Sequence, residues 1–342
     1  MFEPGQLPRK AEYFVEKLCV LGRRIRSCIV EARANQLVFS DIDRHSIADT
    51  IYAVDNHVEP VLIEFCEQWG QEFPLVLVAE GIEGDESEKG MLTFPRGSDP
   101  DDAAFQLIVD PIDGTRGLMF DKRSAWVLAG VAPNHSVQTR LSHISVAMQA
   151  EIPVSKQTRC DVLWAGKGRG AMAVRDDLLT EETYRIAIAP SKATDIAHGF
   201  GSVTSFFPGT KVLSAELLEL IARQCTANTD ASVAMVFDDQ YISTGGQFYE
   251  LIMGHDRFNA DLRLHFYRAL QMQPGLCVHP YDMATALIAQ EAGVILSDGL
   301  GGLPDAPLDV ITPLAWSAFA NAALRDKIEP IIINFLKQYG AA

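Results

Sequence analysis

An acidic loop at the tip of a buried strand limits what this chain can become. Residues 105–109 read Phe-Gln-Leu-Ile-Val, an apolar run of core-strand type. Directly after them come Asp110, Pro111, Ile112, Asp113, Gly114 and Thr115. Pro111 is expected to stop the ladder and Gly114 to let the chain turn sharply. Two carboxylates and a hydroxyl would then face a common point. So much negative charge resists folding unless something positive sits inside it. A hard divalent cation with oxygen ligands fits that place, Mg²⁺ before Ca²⁺.

Two carboxylates do not complete such a site. Upstream, Leu75 to Ala79 form a second apolar run that ends in Glu80-Gly81. Downstream, His279-Pro280-Tyr281-Asp282 precede a helical pattern that closes in Glu291-Ala292-Gly293. Pro280 and Asp282 suit a helix start and Gly293 a helix stop, which would set Asp282 at the positive end of a helix dipole. Asp55 lies beside the apolar face of another helical pattern, Ile51, Val54, Val58, Leu62, Phe65 and Trp69. Each acid also has a plainer role open to it. Asp282 could be a cap, Glu80 the first of a solvated acidic cluster, Asp55 a border charge, and Asp110 the acceptor of an Asx turn.

Taken together, the four segments and their order resemble the inositol monophosphatase family of lithium-sensitive, Mg²⁺-dependent sugar phosphatases. The Asp-Pro-Ile-Asp-Gly-Thr signature is complete at 110–115, and a second one, aromatic-Asp through Glu-Ala-Gly, is matched at 281–293. The stretch Leu163 to Ala171 is similar to the family's strand-turn-strand, and Asp49 and Asp55 to its early pair of acids. The likeness runs from about residue 10 to 335.

The resemblance implies roles for these positions. Glu80, Asp110 and the Ile112 carbonyl would hold one Mg²⁺, and Asp110, Asp113 and Asp282 a second. A third ion would lie near Glu80. Thr115, oriented by Asp55, would position and deprotonate the attacking water. Asp113, Gly114, Thr115, Asp282 and Arg116 would meet the substrate. Two cations roughly 3.5–4 Å apart can neutralise a phosphate ester and assist both the entering and the leaving oxygen. The implied activity is hydrolysis of a small polyol or sugar phosphate, inositol monophosphate first. The implied fold is α+β, a layered αβαβα sandwich, and the implied assembly a homodimer.

Some residues depart from the pattern. Gly81 stands where the family usually has a second Glu, with Glu83 as a fallback, and Tyr281 replaces the usual Trp. Arg116-Gly117 is closer to the branch that cleaves 3′-phosphoadenosine 5′-phosphate, although a surface Arg in a turn reads the same way. Histidinol phosphate and fructose 1,6-bisphosphate are further substrates of related sites. The missing Glu also motivates a reading of another class, a non-catalytic, metal-dependent binding protein. Residues 194–275 are expected to set specificity. Their polar run 254–263, with Asp256, Arg257, Asp261 and Arg263, suits either a binding loop or a surface ion-pair network.

Composition narrows the partners. The chain has 342 residues and a net charge of −16, which disfavours nucleic acid and anionic membranes. The charged N-terminal stretch lacks a signal-type apolar core, and no run reaches the roughly 18 apolar residues of a membrane span. Six scattered cysteines without a Cys-x-x-Cys pair read as reduced thiols in a cytoplasmic protein. Periodicity predicts helices over 8–34 and 45–70. Strands are expected near 75–80, 104–110, 124–132, 144–152, 161–166 and 171–175. A second half would begin near 184, giving units of 1–183 and 184–342 in one compact body. It would hold helices at 214–228, 281–292, 313–324 and 327–338 and strands near 231–237 and 293–297. Gly166 to Gly170 suit a β-turn rather than a phosphate loop.

Overall fold

The computed structural model describes residues 10–34, 42–45, 50–52, 55–80, 82, 90–226 and 235–340, with side chains left aside at 42–45, 50–52, 55 and 56. The first half opens with α1 (Ala11–Ala34), the short pair β1 (Ile42–His45) and β2 (Thr50–Tyr52), and α2 (Asp55–Glu72). There follow β3 (Leu75–Ala79), β4 (Met91–Phe94), β5 (Phe105–Asp113), α3 (Thr115–Met119), β6 (Ala125–Pro133), β7 (Val146–Ile152), β8 (Arg159–Gly166), β9 (Ala171–Asp177) and β10 (Thr183–Ile186). The rest comprises β11 (Gly199–Val203), α4 (Lys211–Cys225), β12 (Val236–Phe237), α5 (Thr244–Ile252), β13 (Asp256–Asp261), α6 (Arg263–Ala269), α7 (Ala286–Ala292), β14 (Ile295–Ser297), β15 (Trp316–Phe319) and α8 (Ala322–Gln338).

Five layers result, the αβαβα sandwich expected. Helices α1 and α2 cover one face of an eight-stranded sheet, ordered β10-β9-β8-β7-β6-β5-β3-β4. Only β3 and β5 run parallel in it. Its other face meets α5 and α7, which also contact a five-stranded sheet, β12-β11-β13-β15-β14. Helices α4 and α8 close the far side.

Periodicity explains the outer layer. Phe14, Leu18, Leu21, Ile25 and Ile29 recur on one stripe of α1 and are fully buried. Val58, Leu62, Phe65 and Trp69 do the same on α2. Strand β3 reads as an unbroken apolar run because it is covered on both faces, and all five of its residues are buried. The glycine run 166–170 turns the β8–β9 hairpin. Its Gly168 and Gly170 N–H groups each donate to the Glu291 carboxylate at 2.7 Å.

Four expectations need correction. The second helix begins at Asp55, not 45, because Thr50-Ile51-Tyr52, a β-branched and aromatic run, pairs with β1. The helix expected at 281–292 begins only at Ala286. Residues 281–285 form tight turns, with Met283 N–H donating to Pro280 O and Ala284 N–H to Tyr281 O. Asp282 therefore sits ahead of the helix rather than on its first turn. Residues 316–319, expected as helix, are β15, held between β13 and β14, and a single helix, α8, follows from its cap Asn321. Finally, 256–261 is neither a loop nor a surface network. It is β13, an inner strand of the second sheet, with Phe258, Asn259, Ala260 and Asp261 all buried.

Candidate active site

A break in strand pairing shapes the acidic loop. Strand β5 does not stop at Pro111. Asp110 pairs with Leu128 and Asp113 with Trp126, so β5 spends one residue more than β6 over the same span. Side chains three apart on a regular strand point to opposite faces; this extra residue turns both aspartates the same way. Gly114 follows with φ 95°, a left-handed conformation that glycine adopts without strain, and caps α3. A Cβ there would also lie 3.1 Å from that of Ser243. The Ile112 N–H donates to Asp110 Oδ1 at 3.0 Å, so the Asx turn is present as well. Thr115 Oγ1 donates to the Ile112 carbonyl at 2.7 Å and ties the loop to the start of α3.

Asp282 arrives from the other half. Its Oδ2 accepts the His279 N–H at 2.6 Å, which fixes the carboxylate in the turn before α7. One oxygen each of Asp110, Asp113 and Asp282 lie within 4.8 Å of one another. Asp110 and Asp113 are each 6 % exposed, so water screens their charges poorly. Burial first, then the charges of Asp113, Asp282 and Glu80, pushes the Asp110 carboxyl well above the usual carboxylate range. Burial lifts Asp113 to about 6, although hydrogen bonds from Ser243, Gly245 and Thr244 oppose it. This crowding of buried like charges is the condition that a divalent cation relieves, and the all-oxygen donor set suits a hard one.

Glu80 stands at the end of β3, close enough for its charge to act on Asp110. Asp55 is the first residue of α2, but its side chain lies outside the described part, as do Asp49, Gly81 and Glu83. Arg116, half-buried on α3, places its guanidinium 5.4 Å from the centre of the Phe207 ring.

Several roles were not foreseen. Ser243, Thr244 and Gly245 at the start of α5 all donate to Asp113. Ser243 followed by a helical stretch carries the N-cap signal, yet nothing in it points to a carboxylate in the other half. Arg263 is buried and grips Asp261 through Nε and Nη2, while its Nη1 donates to the Leu276 carbonyl. Burial works against the Arg263 charge; Asp261, with smaller effects from Cys277 and Asp282, holds its pKa above the usual value. Its guanidinium lies 5.0 Å from the Phe206 ring centre and 5.2 Å from that of Phe207. Phe207 thus lies against two guanidinium groups, that of Arg116 beside Thr115 and that of Arg263, whose charge senses Asp282. Arg257, from the run read above as a binding loop or an ion-pair network, donates to the Asp195 carbonyl at 3.0 Å.

No family model matches the sequence, and no curated protein matches it significantly. Solved structures do match in fold. An inositol monophosphatase (IMPase) of Thermotoga maritima superposes with a TM-score of 0.61 at 14% identity, over 95% of this chain and 99% of that one. A fructose-1,6-bisphosphatase of Leishmania major gives 0.64 at 12%, over 94% and 93%. SuhB of Mycobacterium tuberculosis gives 0.59 at 17%, over 97% and 98%. The chain has the sandwich fold these proteins share, over 94–97% of its length.

Proposed function

We propose that this chain, carrying the sandwich fold shared by inositol monophosphatases and fructose-1,6-bisphosphatases, is a divalent-cation-dependent phosphomonoesterase for a small polyol or sugar phosphate. The observation that carries the reading is the meeting of Asp110, Asp113 and Asp282, drawn from two halves of the molecule, within 4.8 Å. Glu80, Asp110, the Ile112 carbonyl, Asp113 and Asp282 would be the ligands, and Mg²⁺, two or three ions, the cation. When bound, such ions neutralise the phosphate and make water more acidic. Thr115, with Asp55 behind it, would orient the attacking water, and the Gly114 and Thr115 N–H groups would face the phosphate. The burial of Asp110 and Asp113 keeps competing water from these charges and strengthens every interaction made there. Inhibition by Li⁺ and assembly as a homodimer belong to the same reading. The six unpaired cysteines suit a reducing compartment such as the cytoplasm. Among the described residues, no helix is long and apolar enough to cross a membrane.

A second reading is favoured by one observation, the Phe206–Phe207 pair flanked by Arg116 and Arg263. A flat base on the aromatic pair and a second phosphate at Arg116 would suit a bisphosphate nucleotide.

The deciding experiment is phosphate release from inositol monophosphate, fructose 1,6-bisphosphate, histidinol phosphate and adenosine 3′,5′-bisphosphate, with and without Mg²⁺, beside Asp110→Asn. Mg²⁺-dependent release lost in the variant is the expected result, and the best substrate selects the branch. Tight binding of these esters without release from any would overturn the enzyme reading in favour of a binding protein.

A further inference from the structure

The Asp113 carboxylate is held unevenly. Its Oδ2 accepts two short hydrogen bonds, from Ser243 Oγ at 2.8 Å and from the Gly245 N–H at 2.6 Å. Among the described residues, its Oδ1 accepts only the Thr244 N–H, at 3.3 Å. Ser243 has no freedom in this arrangement. Its Oγ already accepts the Gly246 N–H at 2.8 Å as the N-cap of α5, and a carboxylate only accepts, so the Ser243 proton must go to Asp113. The residue is 4% exposed, and water does not compete for that proton. The frame behind it is rigid: Gln149 of the first sheet donates to the Gly245 carbonyl at 2.7 Å, and Gly114 packs against Ser243 too closely for a Cβ to fit without adjustment.

We propose that Ser243 is a positioning residue for Asp113, resting on the metal reading above. By engaging Oδ2 it fixes the carboxylate's rotation and presents Oδ1 to the cluster shared with Asp110 and Asp282. Asp113 then serves the cation through one oxygen. The same bond ties α5, and with it the second sheet, to the first half's acidic loop.

The test separates this role from capping. Ser243→Gly removes the hydroxyl but keeps an acceptable N-cap, a change worth only a few tenths of a kcal/mol in helix stability. Ser243→Thr restores a hydroxyl. Mg²⁺ and Mn²⁺ binding is measured by calorimetry for the full chain and both variants, and thermal midpoints are taken without divalent cation. Loss of a group that orients a metal ligand weakens affinity by about 10–100-fold. The expected result is such a loss in Ser243→Gly, larger than its fall in midpoint accounts for, and recovery in Ser243→Thr. Unchanged affinity in a folded Ser243→Gly protein would overturn the proposal, as would equal losses in both variants that track their midpoints. Failure of the unsubstituted protein to bind either ion would overturn the metal reading itself, a distinguishable result.

Discussion

The Gly245 N–H donates to Asp113 Oδ2 at 2.6 Å, joining the start of a helix between the sheets to the acidic loop of the first sheet. Glycine is required there by space rather than by backbone freedom. A Cβ at 245 would run into Leu128 and stand 3.0 Å from Asp113 Oδ2. Gly245→Ala should therefore lower stability by about 1–3 kcal/mol, the range for overpacking a filled interior. It should also weaken Mg²⁺ binding, because the displaced atom belongs to the carboxylate whose other oxygen faces the cluster. Denaturant unfolding and calorimetry read the two effects, and a variant of unaltered stability would contradict the packing argument.

Asp110→Asn removes one charge from a group of buried like charges with little change in volume. Without divalent cation the variant should melt no lower than the parent chain, and the repulsion it relieves should raise its midpoint. With Mg²⁺ the order should invert, since a ligand that binds only the native state stabilises it by about 2.7 kcal/mol at a hundred times its Kd. Paired melting curves with and without Mg²⁺ check both signs.

Away from the site, Asp176 gives a prediction for acid. Burial raises its carboxyl, but hydrogen bonds from Arg23, Arg26 and Thr183 outweigh that and bring it down to about 2 from 3.8. A carboxyl depressed by folding stabilises the protein above its unfolded pKa, and the contribution fades as pH falls through the folded one. Its contribution of about 2 kcal/mol should be complete above about pH 4 and lost between about pH 4 and 2. Asp176→Asn should thus be less stable at neutral pH, with the gap to the parent narrowing across that window. A constant gap from neutral pH to pH 2 would refute the assignment.

Arg116 separates the two substrate readings. If it meets a second phosphate, Arg116→Ala should lower kcat/KM for adenosine 3′,5′-bisphosphate by about tenfold or more, the weight of a charged hydrogen bond. The value for inositol monophosphate should change little. Equal loss on both would make Arg116 a wall residue that packs on Phe207.

What was readable in the sequence follows from how local each feature is. The loop 110–115 carries its own turn chemistry, and α1, α2 and β3 carry their periods, so these could be read directly, although β5 runs on past Pro111 and α2 starts at Asp55. Asp282 was recognisable from the Pro280 to Gly293 pattern, but the start of its helix was not, because tight turns and a helix leave similar apolar spacing. Trp316 to Phe319 form a strand although Ala315, Ala318 and Ala320 suit a helix; pairing on both sides decided against local propensity. Asp261 and Arg263 have the composition of a solvated surface, and only the inner position of β13 in the second sheet shows that they are buried together. Ser243 and Asp113 are far apart in the chain, and no spacing rule joins them.

The split origin of the acidic cluster also bears on the timing of assembly. Asp110 and Asp113 leave the ribosome long before Asp282, and their carboxylates meet it only after the two sheets have docked on the helices between them. A nascent or truncated chain would hold a pair of aspartates and no pocket. On the metal reading proposed above, cation capture is then a property of the finished molecule, and Mg²⁺ would act late, as a lock on the native state rather than as a nucleus for its folding.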